Sequence, residues 1–184
     1  MRAVQGLAIG AALLGAAAAF AGSPFRPAHA VAQQEQRVAP LQLATWIRAR
    51  KPNLRVIDVR SPEAFAAYPI PMAENIEPST LSATPFTDDQ TIVVYAQNDA
   101  DSVQALKALQ AAGHGNAKSL VGGLIGWDAD VMNATLPANA SPEAVAAFKA
   151  TADLSRYFGG EPHIGPAVSA ASPPAGAIMR RRGC

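Results

Sequence analysis

Few side chains in this sequence carry reactive chemistry, and their placement limits what they can do. The chain holds one cysteine, Cys184, and three histidines, His29, His114 and His163. Arg180, Arg181 and Arg182 precede Cys184, and nearby positive charge raises the thiolate fraction of a thiol. Such a thiol suits a mixed disulfide, or a disulfide dimer in an oxidising compartment. No internal disulfide is open to it, and a tether lacks the fixed geometry that catalysis needs. The histidines have no cysteine or glutamate at metal-ligand spacing, so neither a metal site nor a cofactor is expected. Asn98, Asp99 and Asp101 form an oxygen-rich set, but hard cations want six or more oxygens. Asp101 reads more simply as a helix N-cap, with Gln104 at capping-box spacing, and Asp99 as a turn residue.

The elements that must position these groups alternate between strand and helix. Leu41 to Arg50 has helical spacing and stops at Lys51-Pro52-Asn53. Leu54 to Val59 is a β-branched strand. Ser61-Pro62-Glu63 opens a helix, with serine as N-cap and proline in the first turn. A short strand is expected at Asn75 to Glu77. Thr91 to Tyr95 is continuously apolar and β-branched, the pattern of a strand buried on both faces. A six-residue loop and a helix from about Ser102 to Ala112 follow. Lys118 to Val121 is the next strand, succeeded by Gly122-Gly123 and a helical turn through Trp127. Ser141-Pro142-Glu143 opens a last helix reaching Tyr157. This alternation predicts an α/β fold, a parallel sheet flanked by helices on both faces. Trp46 and Trp127 read as packing aromatics.

The ends differ from the middle. Arg2, the uncharged run Leu7 to Ala21 and Ala28-His29-Ala30 have the form of a cleaved signal peptide over residues 1–30. The alternative is an inner-membrane anchor leaving the domain facing the periplasm, although the run is shorter than the ~20 apolar residues of a spanning helix. Cleavage starts the mature chain near Val31 and exports it, to the periplasm in a bacterium. Residues 31–39 then read as a linker, 40–136 as the domain, 137–158 as a C-terminal helix and 159–184 as a flexible Gly/Pro/Ala-rich tail. Fifteen basic against 14 acidic residues, a net charge of +1, lack the basic excess of a nucleic-acid binder. Three terminal arginines attach only weakly to an anionic lipid surface, so membrane association is expected only if the N-terminal segment is retained.

Three segments, in order and spacing, resemble the rhodanese family. Ile57-Asp58-Val59-Arg60-Ser61-Pro62-Glu63-Ala64-Phe65 is similar to its D-V-R-x-x-x-E-[FY] strand-to-helix segment. Tyr68-Pro69-Ile70-Pro71-Met72-Ala73-Glu74-Asn75-Ile76 is similar to its G-H-I-P-G-A-x-N-I stretch. Leu120-Val121-Gly122-Gly123-Leu124-Ile125-Gly126-Trp127 is similar to its closing L-x-G-G-x-x-x-W. The likeness implies a rhodanese-like sheet and an active-site loop after Tyr95. In active members that loop begins with a nucleophilic cysteine, often as C-x-x-G-x-R-S. Here it reads Ala96-Gln97-Asn98-Asp99-Ala100-Asp101-Ser102, with alanine, aspartate and aspartate where cysteine, glycine and arginine are expected. The turn of the second segment also lacks both glycines and the histidine, replaced by Tyr68, Met72 and Pro69.

A rhodanese loop holds its thiolate among backbone N–H groups at a helix N-terminus, where the dipole stabilises anions. A methyl group at residue 96 cannot accept sulfane sulfur. Asp99 and Asp101, read as lying where the anion binds, repel it. The resemblance therefore implies a catalytically inactive module whose binding loop is Ala96 to Asp101, with Asp58 and Arg60 as a supporting polar pair at a strand end. Its expected role is to bind or regulate a protein partner that the sequence leaves unidentified. The competing reading is a sulfurtransferase, a sulfane-sulfur carrier that uses Cys184 or a partner's thiol.

Overall fold

Backbone pairing begins earlier in the chain than the alternation of apolar runs suggests. A computed structural model describes residues 36–166. The N-terminal signal-like segment, Arg180 to Arg182 and Cys184 lie outside the described residues. The elements are β1 (Arg37–Val38), α1 (Pro40–Arg48), β2 (Leu54–Asp58), α2 (Pro62–Ala67), β3 (Ala73–Asn75), α3 (Pro78–Leu81), β4 (Thr91–Tyr95) and α4 (Asp99–Ala111). They continue as β5 (Lys118–Leu120), α5 (Gly123–Trp127), a π-helical turn (Asp128–Met132), β6 (Thr135–Pro137), α6 (Pro142–Tyr157) and β7 (His163–Gly165).

Five strands form one sheet in the order β1-β5-β4-β2-β3, and every pairing in it is parallel. Parallel neighbours need crossover connections, and helices supply them. β2 and β4 run in register from Leu54↔Thr91 to Asp58↔Tyr95, so both end at the same sheet edge, beside the loop after Tyr95. Side chains along β4 alternate between two cores. Val93 and Tyr95 join Leu43, Ile47, Leu124 and Trp127 on one face. Ile92 and Val94 join Leu81, Leu106 and Leu109 on the other. The sequence expectation of a parallel α/β fold with helices on both faces is what the structure has.

Several boundaries move. The expected linker 31–39 ends in β1, which the Gln36 and Val38 carbonyls fasten to β5 by accepting the Ser119 and Val121 N–H groups, each at 2.9 Å. Two residues are too few to show a period. The strand expected at Asn75 to Glu77 lies two residues earlier, and Ile76 N–H returns to Asp58 O at 3.0 Å. The helix expected within 137–158 is α6, and it packs on the domain. α6 buries Ala152, Leu154 and Ser155, and Phe158 meets Trp127 edge-on at 5.2 Å between ring centroids. The residues read as tail from Gly159 onward include a strand. His163–Gly165 pairs with Thr135–Pro137, and Glu161 N–H donates to Met132 O at 2.7 Å. Gly160 makes this return possible, because a Cβ there would stand 2.5 Å from Met132 O.

Candidate functional site

The loop after β4 is shorter and more tightly held than its sequence suggests. α4 begins at Asp99, and its N-cap is Asn98, whose Oδ1 accepts the Asp101 N–H at 3.0 Å. Asn98 Nδ2 donates in return to the Asp101 carboxylate at 2.8 Å. Asp101 is therefore a first-turn residue answering the cap; the expected Asp101 cap and helix start near Ser102 are corrected. Asn98 competes better for that position because its amide offers both an acceptor and a donor.

Only three residues, Ala96 to Asn98, separate β4 from α4. Ala96 is 5% exposed and lines a cleft of about 440 Å³ between the end of the sheet and α4. Its methyl stands at the position that the sequence resemblance assigns to the nucleophile. Its N–H donates to Ser102 Oγ at 2.9 Å, and Ser102 donates onward to Asn98 O at 2.7 Å. Ser102 is fully buried and closes the loop internally. This role was not foreseen, although Ser102 is the one loop position that matches the family pattern.

Asp99 points away from this arrangement. Its Oδ1 accepts the Gly122 N–H at 2.7 Å and pairs with Arg37. Burial pushes the Asp99 carboxyl up, but the Gly122 N–H and the Arg37 guanidinium outweigh it and hold the group below its ordinary value. The sequence expectation that both carboxylates face an incoming anion is thus corrected: Arg37, 62 positions earlier in the chain, withdraws Asp99, while Asp101 remains at the cleft. Asn98, Asp99 and Asp101 do not converge on one point, and no group of three or more His, Cys, Asp or Glu that could hold a metal occurs among the described residues. His114 packs edge-on against Phe86, and His163 bonds within the β6–β7 pair.

The floor of the loop is set by the paired glycines. Leu124 N–H donates to Ala96 O at 2.9 Å, and Ile125 N–H to Gln97 O at 3.2 Å. Gly123 has φ +60, and a Cβ there would stand 2.7 Å from both Ala96 O and Asn98 O. Gly123→Ala is therefore expected to destabilise the protein by roughly 2–4 kcal/mol, combining left-handed strain with a backbone collision. Urea denaturation measures this. Met72, in place of the second glycine of the family turn, also has positive φ, +66. A methionine there costs about 1 kcal/mol relative to glycine.

Arg60 completes the cleft wall, with Asp58 buried behind it. Asp58 is fully buried, and its carboxylate accepts from Arg60 N–H at 2.9 Å, Nε at 3.0 Å and Nη2 at 2.6 Å. Arg60 Nη2 also donates to Tyr68 O at 2.8 Å, and Nη1 reaches Gln97 Oε1 at 3.5 Å. Burial works against the Arg60 cation, but Asp58 prevails and raises its pKa. Asn75 Nδ2 ties down Asp58 O and Arg60 O at 3.0 and 2.9 Å. Tyr95, missed at the sequence level, accepts the Ile70 N–H at 3.1 Å. Burial drives its phenol well above the ordinary value; the Ile70 bond opposes this and Asp58 adds to it. The pair is thus buried at the end of β2, with Arg60 beside Gln97 of the loop.

A family model for the rhodanese-like domain matches residues 41–130. Those residues belong to the rhodanese-like domain family. The chain is 29% identical over 102 residues to the probable adenylyltransferase/sulfurtransferase MoeZ of Mycobacterium tuberculosis, covering 53% of this chain and 26% of that protein. It thus spans about a quarter of that relative's length. Among solved structures it is similar to the rhodanese-like domain of the Anabaena sp. protein Alr3790 (24% identity, 51% of this chain and 74% of that one, TM-score 0.48). It is also similar to the human single-domain sulfurtransferase TSTD1 (25% identity, 50% and 94%, TM-score 0.45).

Proposed function

We propose that this protein is an exported rhodanese-like module that binds a protein partner at its family cleft and performs no sulfur transfer with a nucleophile of its own there. Ala96 carries the reading. Sulfur transfer by this fold needs a thiolate to attack the outer sulfur of thiosulfate, forming a persulfide and releasing sulfite. A methyl group offers no electron pair, and the nearest hydroxyl, Ser102 Oγ, is buried and engaged on both sides. Tyr68 and Ile125, whose backbones bond the cleft residues Arg60 and Gln97, are 40% and 55% exposed, apolar surface suited to a protein partner. Export rests on the N-terminal run and its Ala28-His29-Ala30 site. It is tested by sequencing the N-terminus of the secreted chain, expected near Val31.

The second reading is a sulfane-sulfur carrier in which Cys184 supplies the thiol, favoured by the three arginines beside it and by sulfurtransferase in the names of the relatives. A thiosulfate:cyanide assay on the full exported chain and on Cys184→Ser separates the two. No thiocyanate above the uncatalysed rate is expected from either protein. Turnover lost in Cys184→Ser overturns the binding-module reading in favour of the tail thiol. Turnover kept in both places the chemistry on another group.

A further inference from the structure

A second cleft, of about 330 Å³, opens on the α4 side of the sheet toward the β1 edge and shares no lining residue with the first. The pleat dictates its polar wall. Val38 and Leu120 enter the core on the α1 face, so their neighbours Arg37 and Ser119 turn toward α4. From α4, Val103, Leu106, Lys107 and Gln110 share one helical face at spacings of three, four and seven residues, and all four line the cleft.

The charges and the unmet hydrogen bonds in this cleft agree. Among the described residues, no carboxylate lines it. Arg37 carries a guanidinium whose named partner, Asp99, belongs to the neighbouring loop. Lys107 is in none of the ion pairs found among the described residues. Gln110 Nε2 and Ser119 Oγ are buried and lack a hydrogen-bond partner among the described residues, and Ser119 is fully buried. An amide nitrogen is a donor only, and a buried donor without an acceptor is unfavourable until one is supplied. Two cations, an amide donor and a hydroxyl thus border one concavity, beside an apolar wall from Val103 and Leu106.

We propose that this cleft binds a small organic anion, one carboxylate or phosphate group on a short apolar body. The anionic oxygens accept from Lys107, Arg37 and Gln110, and the apolar body lies on Val103 and Leu106. Arg37 also links this cleft to the family loop, because an anion drawing on its guanidinium weakens its hold on Asp99. The site stands independently of what the first cleft does.

The test is an NMR titration of the full exported chain with phenyl phosphate, with benzoate and with the neutral isostere benzamide, at constant ionic strength. Saturable shifts are expected in the amides of Lys107, Gln110 and Ser119 with at least one anion, and none with benzamide. Asp99 and Gly122 are expected to move with them. The tighter of the two anions identifies the ligand as a phosphate ester or a carboxylate. Lys107→Gln is expected to weaken binding about tenfold, the effect of one lost charge-assisted hydrogen bond. Gln110→Leu is expected to keep the fold and lose the response, because it removes a donor that has no partner among the described residues. Absence of a saturable shift with both anions overturns the proposal. So does an equal response to benzamide, or anion binding unchanged in Lys107→Gln and Gln110→Leu.

Discussion

Ala96→Cys alone is expected to give weak thiosulfate:cyanide turnover, and Ala96→Cys with Asp101→Asn a clearly higher rate. The new thiol would stand three residues before the first turn of α4, where helix N–H groups favour a thiolate. It attacks the outer sulfur of thiosulfate, sulfite leaves, and cyanide removes the sulfur as thiocyanate. What opposes this is Asp101, which lines the same cleft and whose carboxylate is held by an uncharged amide, Asn98 Nδ2. A unit negative charge at roughly 5 Å raises the energy of an incoming anion by ~1 kcal/mol at the dielectric of water and ~3 kcal/mol at that of a protein surface. Removing it is therefore worth between about fivefold and a hundredfold in the rate of persulfide formation. Asp99→Asn in the same background is expected to change little, since Arg37 and Gly122 already hold Asp99 away. Equal rates for Ala96→Cys and its Asp101→Asn double variant count against an electrostatic role for Asp101. The measurement is thiocyanate release, with persulfide occupancy read by mass spectrometry.

The largest effect on stability is expected at Asp58. Asp58→Ala leaves the Arg60 guanidinium, whose side chain is 8% exposed, beside a site from which its fully buried counter-charge has gone. Breaking a buried pair from one side costs about 3–5 kcal/mol, a large share of the ~5–15 kcal/mol that holds a domain together. The midpoint of thermal unfolding is expected to fall by roughly 10–20 °C. The Arg55–Glu74 pair provides the contrast. Its 2.6 Å distance equals that of Asp58–Arg60, yet its side chains are 24% and 48% exposed, so Glu74→Ala is expected to cost no more than ~1 kcal/mol. Similar losses from the two variants would mean that burial does not set the strength of the Asp58 pair. Calorimetry on both variants decides between these outcomes.

What was legible in the sequence follows from physics that acts over a few residues. Thr91 to Tyr95 announces a strand buried on both faces because its run of apolar, β-branched side chains suits little else. Ser61 and Ser141 mark helix starts because a serine before proline caps a helix locally, and both side chains accept the expected N–H, from Ala64 and Ala144. The segments around Asp58, Ile70 and Gly122-Gly123 carry their family likeness because each meets a backbone demand within its own stretch of chain. Gly123 could hardly be another residue with φ +60 beneath two carbonyl oxygens.

The rest required groups far apart in the chain. Arg37 and β1 looked like linker because a two-residue strand has no detectable period, and the β7 residues looked like tail for the same reason. Only β5 and β6 give them partners. The sequence by itself determined the parallel α/β fold, the loop after Tyr95 and the alanine that stands in it. The tertiary structure decided which carboxylate faces the cleft. Asp99 and Asp101 lie two residues apart on one helix, so their side chains point in different directions. Arg37 and the Gly122 N–H meet one of them, and Asn98 the other. Ala96 was legible as a residue type; that its N–H is spent on Ser102 and its methyl lines a cleft depends on how β4, α4 and α5 come together.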